Sequence, residues 1–138
     1  MTVWMVVEDE PDLYDMLLAM YETIGVDGAA FTDGEEAMNW IQEVESEHYR
    51  GELPELALID IRLPYKINGI QVAARMRKSE RLNNVAIVLM TAHRLSPRQE
   101  SSAMRRSKAN LLLYKPLPSF REFQQILQSL VVGSADPS

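Results

Sequence analysis

Short, unbroken apolar runs alternate with amphipathic helical stretches along nearly the whole chain, and that alternation leaves few folds open. The runs cover residues 3–7, 56–59, 85–90 and 111–113, with 28–31 a weaker fifth. They lack the alternation of a half-exposed strand, so they describe strands covered on both faces, as in a parallel sheet. The stretches between them carry helix signals. Pro11 suits a first helical position, and Leu13, Met16, Leu17 and Met20 follow on one face. Thr32 and Glu35 stand at capping-box spacing before a stripe of Ala37, Trp40, Ile41 and Val44. A third helix is expected over 69–78, with Ile70, Ala73 and Ala74 inward. A fourth begins near Ser96 and Pro97, with Gln99 completing a capping box. A fifth begins at Ser119, with Glu122 at box spacing and Phe123, Ile126, Leu127 and Leu130 inward.

Successive strand-then-helix units predict a doubly wound α/β domain, a five-stranded parallel sheet with helices on both faces. Right-handed crossovers leave few topologies, and the flavodoxin-like order 2-1-3-4-5 is expected at this length. The domain is expected to span 1–132. Residues 133–138, where Gly, Ser, Asp and Pro end the pattern, are expected to form a flexible tail with no second domain after it.

Composition removes several function classes. The 138 residues carry a net charge of -6, so the phosphate-backbone attraction that dominates nucleic-acid binding is missing and direct nucleic-acid contact is not expected. With no cysteine there are no disulfides, thiolate nucleophiles or zinc-thiolate sites, as suits a reducing cytoplasm. Two histidines far apart, His48 and His93, exclude a multi-histidine metal site. The N-terminal apolar run is too short for a signal-peptide core or a membrane span, so no membrane insertion is expected and the cytoplasm is the default compartment.

In sheets of this type ligands bind beyond the carboxyl ends of the strands. Read in order, those ends offer Glu8 and Asp9, then Asp60, then Thr91, then Lys115. Strands one, three, four and five are neighbours in the expected order, so these side chains converge. Carboxylates brought within a few ångström repel one another, and a hard divalent cation such as Mg²⁺ relieves the conflict. Asp60 then suits a nucleophile toward a phosphoryl donor, with the Lys115 ammonium and the Thr91 hydroxyl facing the charge that develops. Each residue alone has an ordinary reading: the acidic run complements a helix N-terminus, Asp60 caps a turn, Thr91 ends a strand and Lys115 is solvated. Together those readings need a coincidence at every strand end.

The pattern resembles the receiver domain of two-component response regulators over about residues 3–130. It rests on VVEDEPDL (6–13), LIDIRLP (58–64) with Gly69, MTAH (90–93) and YKPL (114–117). The resemblance implies that Asp60 is the phosphoacceptor and that Asp9 ligates Mg²⁺ directly, with Glu8 acting through water. It also implies a third ligand in the Arg62 backbone carbonyl, contacts from Thr91 and Lys115 to the phosphoryl group, and a cis Lys115–Pro116 bond. Such a chain is a signalling switch and not an enzyme. It takes a phosphoryl group from a histidine kinase or a histidine-phosphotransfer protein and then docks on a downstream target or a second receiver copy.

Some positions depart from the family pattern. The aromatic residue usual three positions before the lysine is Leu112 here, with Tyr114 two residues along on the same strand face. The spacing from Pro64 to Gly69 is one residue longer than the commonest form, and Lys108 replaces the glycine usual before strand five. Arg62 and His93 lie where side chains influence phosphoryl hydrolysis; both are bulky, so slow self-dephosphorylation is expected. Helix four carries a basic segment that includes Arg94, Arg98, Arg105, Arg106 and Lys108. In this family helix four, strand five and helix five form the partner surface, which makes Arg105 and Arg106 candidates for docking an acidic partner. With no output domain expected, the chain acts by docking or by relay, and not as a transcription factor alone. A phosphorylation-independent pseudo-receiver scaffold is the alternative. A flavin carrier is disfavoured, because the first loop is acidic where a phosphate would need hydroxyls and glycines.

Overall fold

The computed structural model describes residues 1–135, with side chains described through Val131. The chain runs β1 (Val3–Val7), α1 (Pro11–Ile24), β2 (Asp27–Phe31), α2 (Gly34–Val44) and β3 (Leu56–Asp60). It continues through α3 (Gly69–Arg77), β4 (Ala86–Thr91), α4 (Pro97–Ser107), β5 (Leu111–Tyr114) and α5 (Phe120–Ala135). The strands form one sheet in the order β2-β1-β3-β4-β5, every pair parallel. This is the flavodoxin-like arrangement expected from the apolar runs.

Because successive strand residues point to opposite faces, each strand feeds two cores. Met5, Val7, Ala57, Ile59, Ile87 and Leu89 pack with residues of α2, α3 and α4, among them Ile41, Met76 and Ala103. Trp4, Val6, Leu58, Val88 and Met90 pack on the other face with Leu17 and Tyr21 of α1 and with Phe123 and Leu127 of α5. Trp4 is therefore a packing residue, edge-on to Tyr21 at 5.5 Å between ring centres. Within the helical stripes, Ala74, Ile126 and Leu130 are half-buried and Met16 is exposed.

The helix ends follow local chemistry. Ser96 and Gln99 form the expected capping box of α4, and Asn68 and Gln71 form another at α3. At α2 the cap lies one residue beyond its expected place. Asp33 accepts the Glu36 N–H, and the Glu36 carboxylate reaches back to the Thr32 N–H and hydroxyl at 2.9 Å. Asp33 competes with Thr32 for the same role, and the stronger acceptor takes it. α5 runs on to Ala135, past the expected domain end at 132, since Gly133 costs a helix only about 1 kcal/mol and alanine is the strongest helix former. The rest of the expected tail, 136–138, lies outside the described residues.

Two backbone features shape the loops near the sheet's carboxyl edge. A Cβ at position 69 would lie 2.1 Å from the Asp60 carbonyl oxygen, so only glycine lets α3 start that close to the end of β3. Tyr65, in the longer loop between them, has φ +70°. At the far end of the fold, Lys108 closes α4 in the left-handed region at φ +54°, the conformation a glycine would otherwise supply.

Candidate functional site

The sheet order brings the ends of β1, β3, β4 and β5 side by side, and the polar residues there are buried against them. Glu8 is 0% exposed, Asp60 5% and Thr91 1%. Buried charge needs partners, and here one cation supplies them. The Lys115 Nζ donates to Asp60 Oδ2 at 2.8 Å and to Glu8 Oε1 at 2.9 Å. The free oxygens are held by backbone. Glu8 Oε2 accepts the Glu10 N–H at 3.1 Å, and Asp60 Oδ1 accepts the Arg62 N–H at 3.1 Å. The Thr91 Oγ1 accepts the His93 N–H at 3.1 Å, which leaves its own proton free to donate. The Thr91 carbonyl in turn accepts the Lys115 N–H at 2.8 Å, so the threonine and the lysine are tied through backbone. The Lys115–Pro116 bond is cis.

These contacts shift protonation. Burial raises the Glu8 carboxyl above the usual carboxylate value and outweighs the Lys115 contact that lowers it. For Lys115 burial acts to lower the ammonium, but the hydrogen bonds to Asp60 and Glu8 prevail and the net shift is upward. The lysine is thus held charged between two carboxylates.

The structure brings together five of the residues singled out in the sequence: Glu8, Asp9, Asp60, Thr91 and Lys115. Carboxylate oxygens of Glu8, Asp9 and Asp60 lie within 4.8 Å of one another, with Asp9 on the open side. An oxygen-only donor set of this kind fits a hard divalent cation. Arg62 contributes its N–H to Asp60, while its side chain and that of His93 are exposed beside the site. Leu112, Tyr114, Arg105 and Arg106 lie apart from the acidic cluster. Leu112 packs against the core under α2, α3 and α4. Arg105 and Arg106 are exposed on α4, and His48 is exposed after α2.

Sequence reasoning missed two relationships. Glu8 is the partner of Lys115 as much as a candidate ligand, and nothing in the EDE run marks which carboxylate turns inward. Tyr114 donates its hydroxyl to the Glu100 carboxylate, with the Arg94 guanidinium 5.3 Å from its ring centre. Nothing in the sequence signals that pairing.

Residues 4–128 match the family model described as the response regulator receiver domain. The DNA-binding response regulator MtrA of Mycolicibacterium smegmatis is 34% identical over 88 residues, which is 64% of this chain and 33% of MtrA, so the match spans about a third of that relative. The receiver domain of sensor histidine kinase PA1611 from Pseudomonas aeruginosa superposes with a TM-score of 0.73 at 26% identity, covering 94% of this chain and 97% of that one. That structure has a magnesium ion coordinated in its active site cleft. A CheY-like receiver domain protein from Methanospirillum hungatei shares the fold, with a TM-score of 0.79 at 18% identity over 97% of this chain and 96% of that one. Among the described residues no helix is long and apolar enough to cross a membrane. With the family model spanning β1 to α5, the chain belongs to the response regulator receiver domains of two-component systems.

Proposed function

We propose that Asp60 accepts a phosphoryl group from a histidine kinase or histidine-phosphotransfer protein and that this switches a protein-docking surface. The single observation that carries the reading is the Lys115 ammonium 2.8 Å from Asp60 Oδ2 within a cluster of carboxylates. A structural ion pair alone explains neither Asp9 on the open side nor the buried Thr91 hydroxyl.

An Asp60 carboxylate oxygen attacks phosphorus, the bond to the donor imidazole nitrogen breaks, and an acyl phosphate forms. Lys115 is placed to neutralise a phosphoryl oxygen and Thr91 to donate to another, the charge stabilisation that phosphoryl transfer depends on. Glu8, Asp9, Asp60 and the Arg62 carbonyl are the residues that would hold Mg²⁺. When bound, the ion supplies positive charge for the carboxylates and the incoming phosphoryl oxygens. Arg62 and His93, exposed beside the acceptor, screen it from attacking water, so the acyl phosphate is long-lived.

The donor docks where a groove between α1 and the segment after β5, lined by Glu10, Leu13, Met16, Leu117 and Pro118, opens on Lys115. On the other flank α4, β5 and α5 form the output surface, where Arg105 and Arg106 meet an acidic target or a second receiver copy. Arg62, His93, Leu112, Tyr114 and the α4 arginines are assigned to tuning and output in this reading, and the compartment is the cytoplasm. The pseudo-receiver alternative is less well supported, because every group needed for acceptance is present at the strand ends.

Acetyl phosphate with Mg²⁺ tests the proposal by intact mass. A labile gain of one phosphoryl group in the wild type is expected, lost in Asp60→Asn and lost on chelation. A wild type that stays unmodified overturns it.

A further inference from the structure

The loop between β3 and α3 is anchored at both ends. At its start the Ile61 N–H donates to the Met90 carbonyl at 2.8 Å, and the Arg62 N–H to Asp60 Oδ1 at 3.1 Å. At its end the Asn68 N–H donates to Gln71 Oε1 at 2.8 Å, and the Gly69 N–H to the Ile61 carbonyl at 2.8 Å. Between these anchors, among the described residues, one hydrogen bond ties residues 63–67 to another element. The Lys66 N–H donates to Glu35 Oε2, in the first turn of α2, at 3.1 Å.

Glu35 is available for this contact because its neighbours take the cap of α2. Asp33 and Glu36 close that helix end, which leaves the Glu35 side chain to reach across to the loop. An ordinary first-turn glutamate complements the helix dipole from solvent. Glu35 instead is half-buried, with Oε1 enclosed and without a donor. Two backbone features belong to the same contact. A Cβ at Gly34 would lie 2.7 Å from the Ile67 carbonyl oxygen, so glycine lets the start of α2 touch the loop backbone. Tyr65, the residue before Lys66, holds φ +70° while its ring is 80% exposed, so packing of the ring does not impose that conformation. What the reversal at Tyr65 delivers is the Lys66 N–H on Glu35.

The same loop carries the Arg62 carbonyl, one of the groups that would hold Mg²⁺ with Asp9 and Asp60. A backbone ligand has no rotamer to adjust, so its aim depends on whatever holds the loop. We propose that Glu35 is a positioning residue for the metal site, holding the loop through Lys66 so that the Arg62 carbonyl is preset for a divalent cation. The inference deepens the phosphoacceptor reading and rests on its Mg²⁺ site.

Titration of the full chain with Mg²⁺ alone, followed by backbone amide NMR, tests it. Glu35→Ala is expected to weaken Mg²⁺ binding about tenfold and, in the metal-free protein, to speed exchange of the Lys66 amide by a similar factor. Glu35→Gln removes the charge but keeps an oxygen for the Lys66 N–H, so it is expected to bind Mg²⁺ within about twofold of wild type. In acetyl phosphate labelling, Glu35→Ala is expected to be slow at low Mg²⁺ and to recover the wild-type rate once Mg²⁺ saturates. Unchanged Mg²⁺ affinity in Glu35→Ala overturns the inference. So does an equal loss in Glu35→Gln, which would assign the effect to charge and not to the loop contact. A wild type that binds no Mg²⁺ overturns the metal site and the inference with it, whereas normal binding in both wild type and Glu35→Ala overturns the inference alone.

Discussion

The Lys115 ammonium lies 2.8 Å from Asp60 Oδ2 while holding Glu8 with another of its protons, so one cation balances two buried carboxylates. Lys115→Met removes that balance and leaves three carboxylates facing one another. At neutral pH without divalent ions the variant is expected to lose about 1–3 kcal/mol of stability. Millimolar Mg²⁺ is expected to recover more stability in the variant than in the wild type, because the ion binds the folded state and no ammonium competes with it. Thermal melts with Mg²⁺ and with a chelator read both effects; an equal Mg²⁺ response in the two proteins counts against the balance.

Glycines 69 and 25 are expected to differ in kind. An alanine at 69 puts a methyl group 2.1 Å from the Asp60 carbonyl oxygen, so α3 must retreat and the loop after Asp60 moves with it. Gly69→Ala is expected to cost about 2–4 kcal/mol and to slow phosphorylation. Gly25 has φ +84° with no neighbour within 4 Å of the added carbon, so Gly25→Ala meets only backbone strain of about 1–2 kcal/mol. Urea unfolding of both, with acetyl phosphate labelling, separates the cases.

Tyr65 is 80% exposed and holds φ +70°, a conformation that disfavours a bulky side chain. Tyr65→Asn is expected to stabilise the protein by about 0.5–1 kcal/mol, since asparagine tolerates that region and no packing is lost. A drop in stability would mean that the ring holds the loop in place.

Tyr21 supplies a pH test remote from the site. Its phenol is buried, donates to the Met5 carbonyl at 2.8 Å and is pushed well above its ordinary value of 10.0 by burial. A raised folded-state value means that its contribution is complete below pH 10.0 and lost as pH rises through that folded value. Tyr21→Phe is expected to cost about 1 kcal/mol at neutral pH. Above pH 10.0 the wild type is expected to lose stability relative to the variant by up to about 1.4 kcal/mol per pH unit. Urea midpoints that run parallel for the two proteins across that range would remove Tyr21 as a source of alkaline sensitivity.

The fold was legible because uninterrupted apolar runs, helix caps and strand spacing all pointed the same way. The polar cluster at the carboxyl edge of the sheet was legible for a related reason. Asp60 and Thr91 end their strands and Glu8, Asp9 and Lys115 follow theirs, and the strand order brings them together. What stayed hidden depends on contacts between elements. The cap of α2 went to Asp33 and not Thr32 because two adjacent residues compete for one set of N–H groups. The pairing of Tyr114 with Glu100 joins a strand to a helix end, where neither periodicity nor a cap signals it. The grip of Arg77 on Lys108 and Val85 joins carbonyls, and carbonyls carry no sequence signature.

The two-sided sheet gives neighbouring residues different addressees. Leu89 belongs to the core beneath α2, α3 and α4, whereas Met90, the next residue along, belongs to the core beneath α1 and α5. Truncating either to alanine leaves a void of similar size, worth about 2–5 kcal/mol. The slack is delivered to opposite sides of the molecule: Leu89→Ala loosens the seat of α4, and Met90→Ala loosens the seats of α1 and α5. Equal damage to the fold then falls on different helices.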